Sequence, residues 1–288
     1  MTAHHNKIVQ PRFSKNFPAQ RLETDLKWTD LVLNPNTDKR ISELKIWLDH
    51  NDVLLHKHGM KNKLKPGYRV LFHGPPGTGK TLTANLLGKQ YNRDVYRIDL
   101  SLVVSKYIGE IGKNLHMVFD EAENTDCILF FDEADALFGK RTQVNDAQDR
   151  YANQGIPYLL QRIEKYTGSY LLQRIEKYTG LVIFASNLKK NINDAFIRRC
   201  QSTIYFPMPS VDERMKIWDK VFPKGFQKPD KGHLLKYCLK QKLSGAAIVN
   251  IIQYCSLISL EKGEKKIEIN NILEGIRNEF IKEFQKSS

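Results

Sequence analysis

Five short apolar runs punctuate the first two thirds of the chain: Arg69 to His73, Val95 to Leu100, Cys127 to Phe131, Leu181 to Ala185 and Thr203 to Phe206. Stretches of helical periodicity separate them, which predicts an α/β fold with a parallel sheet covered by helices on both faces. Ahead of the first run, Leu44, Trp47 and Leu48 share one face of a helix expected from Ile41 to Leu55. Pro207-Met208-Pro209 closes the alternating region, and Ser210-Val211-Asp212-Glu213 reads as a capping box that opens a new helix. Beyond it no strong strand pattern occurs. Ile272, Ile276, Phe280 and Phe284 recur at the four-residue spacing of a helix face. The expected organisation is an arm over residues 1–40, which hold Pro11, Pro18 and Pro35, an α/β domain over 41–209 and a helical domain over 210–288.

One segment is written twice. YLLQRIEKYTG occupies Tyr158–Gly168 and again Tyr170–Gly180, offset by 12 residues. Twelve residues turn a helix through about 1200°, leaving the second copy rotated roughly 120° from the first. One continuous helix therefore cannot bury both Leu-Leu-Ile stripes, and Thr167-Gly168-Ser169 offers a stop and a new cap between them. One copy should pack on the sheet. The expectation is that the first copy does so and that the second is the insert.

Composition narrows the class. Hydrophobic residues make up 41% and charged residues 27% of the 288 positions, values of a globular protein with a sizeable core. No apolar run approaches the roughly 20 residues that a bilayer span needs. The polar start MTAHHNKIVQPRF lacks the apolar region of a secretory signal. Cys127, Cys200, Cys238 and Cys255 are far apart with no CxxC pair, so a reducing, cytoplasmic setting is expected rather than a disulfide framework or a zinc site. The net charge of +13 would suit a polyanionic partner. The lysines are spread along the chain, however, and a solvated surface accounts for them better.

Candidate chemistry starts at Gly74-Pro75-Pro76-Gly77-Thr78-Gly79-Lys80-Thr81, followed by Leu82. This is the G-x-x-x-x-G-K-[ST] pattern, set between an apolar strand and a helix. The glycines let backbone N–H groups turn inward around phosphates, Lys80 reaches the β- and γ-phosphates, and the Thr81 hydroxyl binds Mg²⁺. The run Cys127-Ile128-Leu129-Phe130-Phe131 ends in Asp132 and Glu133. A buried central strand would bring these two acids to the nucleotide. Asp132 would hold Mg²⁺ through water, and Glu133 would orient and polarise the attacking water. ATP and Mg²⁺ are the expected cofactors.

With GPPGTGKT and FFDEADALF in place, the chain resembles the AAA+ ATPases, from roughly Trp28 onward. The resemblance implies a P-loop NTPase fold with a five-stranded parallel sheet ordered 5-1-4-3-2 and an all-helical lid. It implies that Asn187, in Ala185-Ser186-Asn187, is a sensor near the γ-phosphate. Arg198 and Arg199, in NDAFIRR, correspond to fingers that reach a neighbouring subunit's ATP; an RFD-type tail is replaced by Cys200-Gln201-Ser202, which leaves open which arginine dominates. Gly245 and Ala246, in Ser244-Gly245-Ala246-Ala247-Ile248, resemble the small-residue lid element of the AAA clade proper. Lys106, Tyr107, Ile108 and Gly109 resemble a pore loop that grips a polypeptide.

The implied assembly is a homo-oligomeric ring, a hexamer by analogy, that remodels, unfolds or disassembles a protein client. Around YRVLFHGPPGTGKT and YFPMP the chain is also similar to single-cassette bacterial ATPases of contractile injection systems. The competing reading is a nucleic-acid-dependent ATPase of the helicase or clamp-loader type. The positive charge permits it, but the Tyr107 loop and the Gly245-Ala246 element disfavour it. No membrane partner is expected.

Overall fold

The computed structural model describes residues 19–65, 67–99, 118–120, 122, 123, 125–135, 171–187, 192–230, 232 and 241–287. Five parallel strands form the sheet: β2 (Tyr68–His73), β3 (Val95–Asp99), β4 (Ile128–Asp132), β5 (Leu181–Ser186) and β6 (Ser202–Tyr205). A sixth, β1 (Ala19–Leu22), runs antiparallel along β3, with Ala19 opposite Ile98 and Leu22 opposite Val95. The full order is β1-β3-β4-β5-β2-β6. Counted without β1, the parallel strands read 5-1-4-3-2 from the far edge. The extra strand corrects the expectation of a five-stranded sheet with a shapeless arm before it. The four residues AQRL, with Gln20 and Arg21 exposed and Ala19 and Leu22 partly buried, carry no periodicity. They become a strand because a ladder of backbone bonds needs none, and β1 covers the edge that β3 would otherwise present.

Side chains on each strand alternate between the two faces. Val70 and Phe72 of β2, Phe130 of β4 and Ile183 of β5 join Ile41, Leu44, Ala84 and Leu87 in one buried cluster. Leu71, Leu129, Phe131, Val182 and Phe184 join Phe119, Ile175 and Tyr178 in the other. Both faces are dry, which is why the central strands read as continuous apolar runs. The helix of the first cluster, α1 (Pro35–His56), begins six residues earlier than its periodicity predicts. Asn34 caps it, its side-chain oxygen accepting from the Asn36 N–H at 3.1 Å. Pro35 takes the first helical position, where its missing N–H loses nothing. The other helix on that face is α2 (Lys80–Tyr91).

The duplicated segment overturns the expectation stated for it: the second copy packs. A helix over residues 171–177, α3, sets Leu171 and Ile175 into the core, followed by buried Tyr178. The Tyr178 hydroxyl donates to the Cys127 carbonyl at 2.6 Å. Gly180 then leads straight into β5, its carbonyl accepting from the Tyr68 N–H at 3.0 Å. At Gly67 (φ +67°) a Cβ would stand 2.2 Å from the Tyr178 carbonyl oxygen, so this junction is fixed from both sides. The packing surfaces of the copies are identical, and the direct connection to β5 decides between them. The first copy, Tyr158–Gly168, lies outside the described residues.

Because the copies are identical, deleting Tyr158–Ser169 or Ser169–Gly180 yields the same polypeptide; point changes separate them. Ile175→Ala is expected to lower stability by about 2–4 kcal/mol, whereas Ile163→Ala leaves the melting temperature unchanged. A loss at Ile175 of no more than about 1 kcal/mol, near the cost of a 12-residue loop, would show that the first copy takes the slot instead.

After α4 (Asp194–Ile197) and β6 comes α5 (Val211–Val221). Its capping box forms as expected: the Ser210 hydroxyl accepts from the Glu213 N–H at 3.3 Å, and the Glu213 carboxylate accepts from the Ser210 N–H at 2.8 Å. With α6 (Gly245–Glu261) and α7 (Ile269–Ser287) it encloses a third cluster, centred on Trp218, Ile248, Ile251, Cys255, Ile272 and Ile276. No helix among the described residues is long and apolar enough to cross a membrane.

Candidate nucleotide site

The C-terminal ends of β2, β4 and β5 open onto one cleft of about 680 Å³. Its floor is the turn from β2 into α2. Gly77 and Gly79 have φ of +73° and +99°, left-handed values that glycine adopts without strain, and both line the cleft. Lys80 is only 8% exposed. Its Nζ donates to the carbonyls of Gly74 (2.6 Å) and Pro75 (2.9 Å) and to Asn187 Oδ1 (3.2 Å). Burial lowers the Lys80 ammonium from 10.5 to about 8, although Asp132 and Asp135 pull it upward. A desolvated cation with its donors turned inward is poised for a polyanion.

Asp132 and Glu133 end β4. One Asp132 oxygen accepts from the Glu133 N–H at 3.0 Å. The other pairs with Arg97 Nη2 at 2.7 Å. Glu133 adopts φ +50°, a left-handed turn that carries its side chain to the exposed rim of the cleft. Asn187 follows β5 and meets Lys80 from the opposite wall.

The start of α6 meets the floor directly. The Ala246 N–H donates to the Gly77 carbonyl at 3.2 Å, and a Cβ on Gly77 would stand 2.6 Å from Ser244 Oγ. Ser244 caps α6 by accepting from the Ala247 N–H at 3.2 Å. This cap places Gly245 and Ala246 on the cleft. The structure thus gathers Pro76 to Leu82, Asp132, Glu133, Asn187, Gly245 and Ala246 around one cavity, with the carbonyls of Gly74 and Pro75 beneath it.

Arg198 and Arg199 stand elsewhere, exposed at the end of α4 and not on this cleft. Arg199 Nε donates to Glu176 at 3.0 Å and Nη1 to the Ala195 carbonyl at 2.9 Å. Among the described residues the Arg198 side chain makes no such contact. Lys106, Tyr107, Ile108 and Gly109 lie outside the described residues.

One wall was missed in the sequence. Asp30 to Asn34, assigned there to the arm, line the cleft together with Thr37. The segment is tied down at several points. Lys89 donates to the carbonyls of Thr24 (3.0 Å) and Leu26 (3.1 Å), Lys220 to that of Thr29, and Asn34 Nδ2 to Glu213 at 3.2 Å. The run Leu31-Val32-Leu33 before an Asn-Pro helix start is the signal that would have found it. The Arg97 pairing was also missed, and its isolated charge in a strand gives no pattern to find.

The residues fit a nucleotide on this structure's own terms: a buried lysine that no carboxylate among the described residues pairs directly, a glycine-rich turn, and two acids on the same cleft. No group of three or more His, Cys, Asp or Glu side chains that could hold a metal by themselves occurs among the described residues. Mg²⁺ here would be shared between the Thr81 hydroxyl, water on Asp132 and the phosphates.

Comparison with known proteins agrees. Residues 70–208 match the family described as ATPase family associated with various cellular activities (AAA). The 26S proteasome regulatory subunit S10B homolog B of Arabidopsis thaliana is 29% identical over 212 residues, 73% of this chain and 46% of that protein. The ATPase family AAA domain-containing protein FIGL1 of Arabidopsis thaliana is 26% identical over 270 residues, 92% of this chain and 38% of that protein. The chain thus spans about half the length, or less, of these relatives. The crystal structure of the FIGL-1 AAA domain superposes with a TM-score of 0.66 at 20% identity, covering 90% of this chain and 85% of that one, which establishes the fold. The glycine-rich floor of the cleft and its two acids, Asp132 and Glu133, fall within residues 70–208, the segment that matches the AAA ATPase family.

Proposed function

We propose that the chain binds Mg²⁺·ATP in this cleft and hydrolyses it as one subunit of a homo-oligomeric ring that remodels a polypeptide client. The observation that carries the reading is the meeting of Lys80, Asp132, Glu133 and Asn187 at one point, supplied by three strand ends far apart in sequence. Lys80 and the loop amides hold the β- and γ-phosphates. Thr81 and Asp132 hold the metal, which supplies charge neutralisation on the phosphate oxygens. Glu133 accepts a hydrogen bond from the attacking water and polarises it, and Asn187, touching Lys80, marks the γ-phosphate end. The third hydrophobic cluster supports reading 210–288 as a lid that moves as a unit on the 41–209 domain.

Ring assembly is supported by α4. Arg199 is held within the chain by Glu176, while Arg198 is free to point outward, so Arg198 is the finger offered to a neighbour's γ-phosphate and Arg199 its brace. Mixing Arg198→Ala subunits with Lys80→Ala subunits should restore ATPase that neither has alone, because one interface then holds every part. Absence of rescue in mixed rings would refute action in trans.

A protein client is supported by the Tyr107 loop in the sequence and by the relative named as a proteasome regulatory subunit. The resemblance around YRVLFHGPPGTGKT and YFPMP favours a component of a contractile injection assembly, acted on in a reducing, cytoplasmic setting. Stimulation of ATPase by an unfolded polypeptide, and not by single-stranded DNA, is the test. Stimulation by DNA alone would favour a helicase or clamp-loader role.

A further inference from the structure

Arg97 lies in the middle of β3, opposite Phe130 of β4. Paired residues of parallel strands face the same side, and so do residues two apart on one strand. Arg97, Phe130 and Asp132 therefore leave the sheet on one face, the face covered by α2. There Arg97 Nη2 meets Asp132 Oδ2 at 2.7 Å, with the two side chains 38% and 19% exposed. The Arg97 Nε is buried and has no hydrogen-bond partner among the described residues. Lys80, the other cation nearby, spends its donors on Gly74, Pro75 and Asn187. The direct counter-charge of Asp132 is thus Arg97.

We infer that Arg97 is a positioning residue for the nucleotide site: it fixes the Asp132 carboxylate and competes with Mg²⁺ for its charge. The inference rests on the reading of the cleft as a Mg²⁺·ATP site. Two consequences follow, and they run in opposite directions. One Asp132 oxygen is pinned by Arg97 and the other by the Glu133 N–H, so the guanidinium holds both acids in register through a single carboxylate. Losing it lets Asp132 rotate and Glu133 drift, which slows hydrolysis. Losing it also removes a positive charge beside the metal position, which strengthens the pull on a divalent cation. A tie that merely joined β3 to β4 would do neither.

The test uses the full-length chain and a fluorescent ADP, titrated with Mg²⁺ and in EDTA, alongside steady-state ATPase. Arg97→Gln is expected to leave ADP affinity in EDTA within twofold, to lower the Mg²⁺ concentration for half-maximal enhancement several-fold, and to lower kcat about tenfold. Arg97→Lys keeps the charge and loses the planar fork, so its Mg²⁺ midpoint should stay at the wild-type value. If the Gln variant only melts at a lower temperature, with Mg²⁺ midpoint and kcat unchanged, the inference fails while the nucleotide site stands. If the wild-type chain binds no ADP with or without Mg²⁺, the reading of the cleft fails and this inference with it.

Discussion

Lys80→Ala should abolish nucleotide binding at concentrations that just saturate the parent, a loss of roughly ten- to a hundredfold in affinity. The side chain is the cleft's direct counter-ion for the phosphates, and a charge-assisted hydrogen bond in such a site contributes about 1.5–3 kcal/mol. The fold should survive. Removing a desolvated ammonium relieves a burial penalty and takes a donor from Gly74, Pro75 and Asn187, of which the Pro75 carbonyl keeps the Thr78 hydroxyl at 2.8 Å; the two effects are of opposite sign, so the melting temperature of the free protein should move by only a few degrees. The parent should also show a proton linkage. In the protein alone Lys80 titrates near 8. Bound phosphates favour its charged form and raise that value. Above pH 8 binding must therefore take up a proton, and affinity falls as the pH rises, by no more than about tenfold per unit. Calorimetry in buffers of different ionisation enthalpy reads the proton directly. Equal binding by the Ala variant, or no proton uptake by the parent at pH 9, would remove Lys80 from the phosphate site.

Glu133→Gln should separate binding from hydrolysis. Its main chain sits in a left-handed turn and is pinned to Asp132 through the N–H, so the amide keeps the shape and the local hydrogen bond. What it loses is the negative charge that polarises water. General-base assistance of this kind contributes about 10²–10⁴ in rate. The variant should bind ATP within a few-fold of the parent while kcat drops by at least a hundredfold. Because it holds ATP, it is also the form with which to capture a client. Hydrolysis near the parent rate would show that Glu133 does not position the water.

Much of the site could be read from the chain because its chemistry is local. Gly74 to Thr81 is one turn, and its glycines, lysine and threonine are required at fixed spacing by a loop that must wrap phosphates. Asp132 and Glu133 end an apolar run that alone could be any strand end, and they are legible because that run follows Gly74–Thr81 by about 50 residues. Asn187 and Gly245-Ala246 carry weak patterns alone. The resemblance to a family placed them, and the structure then brought them to the same cavity. The parallel strands were visible as apolar runs, since both faces of the sheet are covered and each run must be apolar throughout.

What escaped depends on residues that meet through space. β1 has no pattern of its own and exists because β3 offers an unpaired edge. Asp30 to Asn34 looks like an unpatterned arm until Lys89, Lys220 and Glu213, far along the chain, hold it across the cleft. Arg97 is an ordinary strand residue in sequence and becomes the partner of Asp132 only through the β3–β4 register. Arg199 is held within the chain by Glu176, which belongs to the second copy of the repeat and is brought to it only by the fold. That last point marks the division most sharply. Two identical segments have identical propensity, pattern and packing surface, so the sequence determines that one of them must cover the sheet. The tertiary structure chooses the second, because Tyr178 and Gly180 reach β5 and the Gly67 turn without an intervening loop.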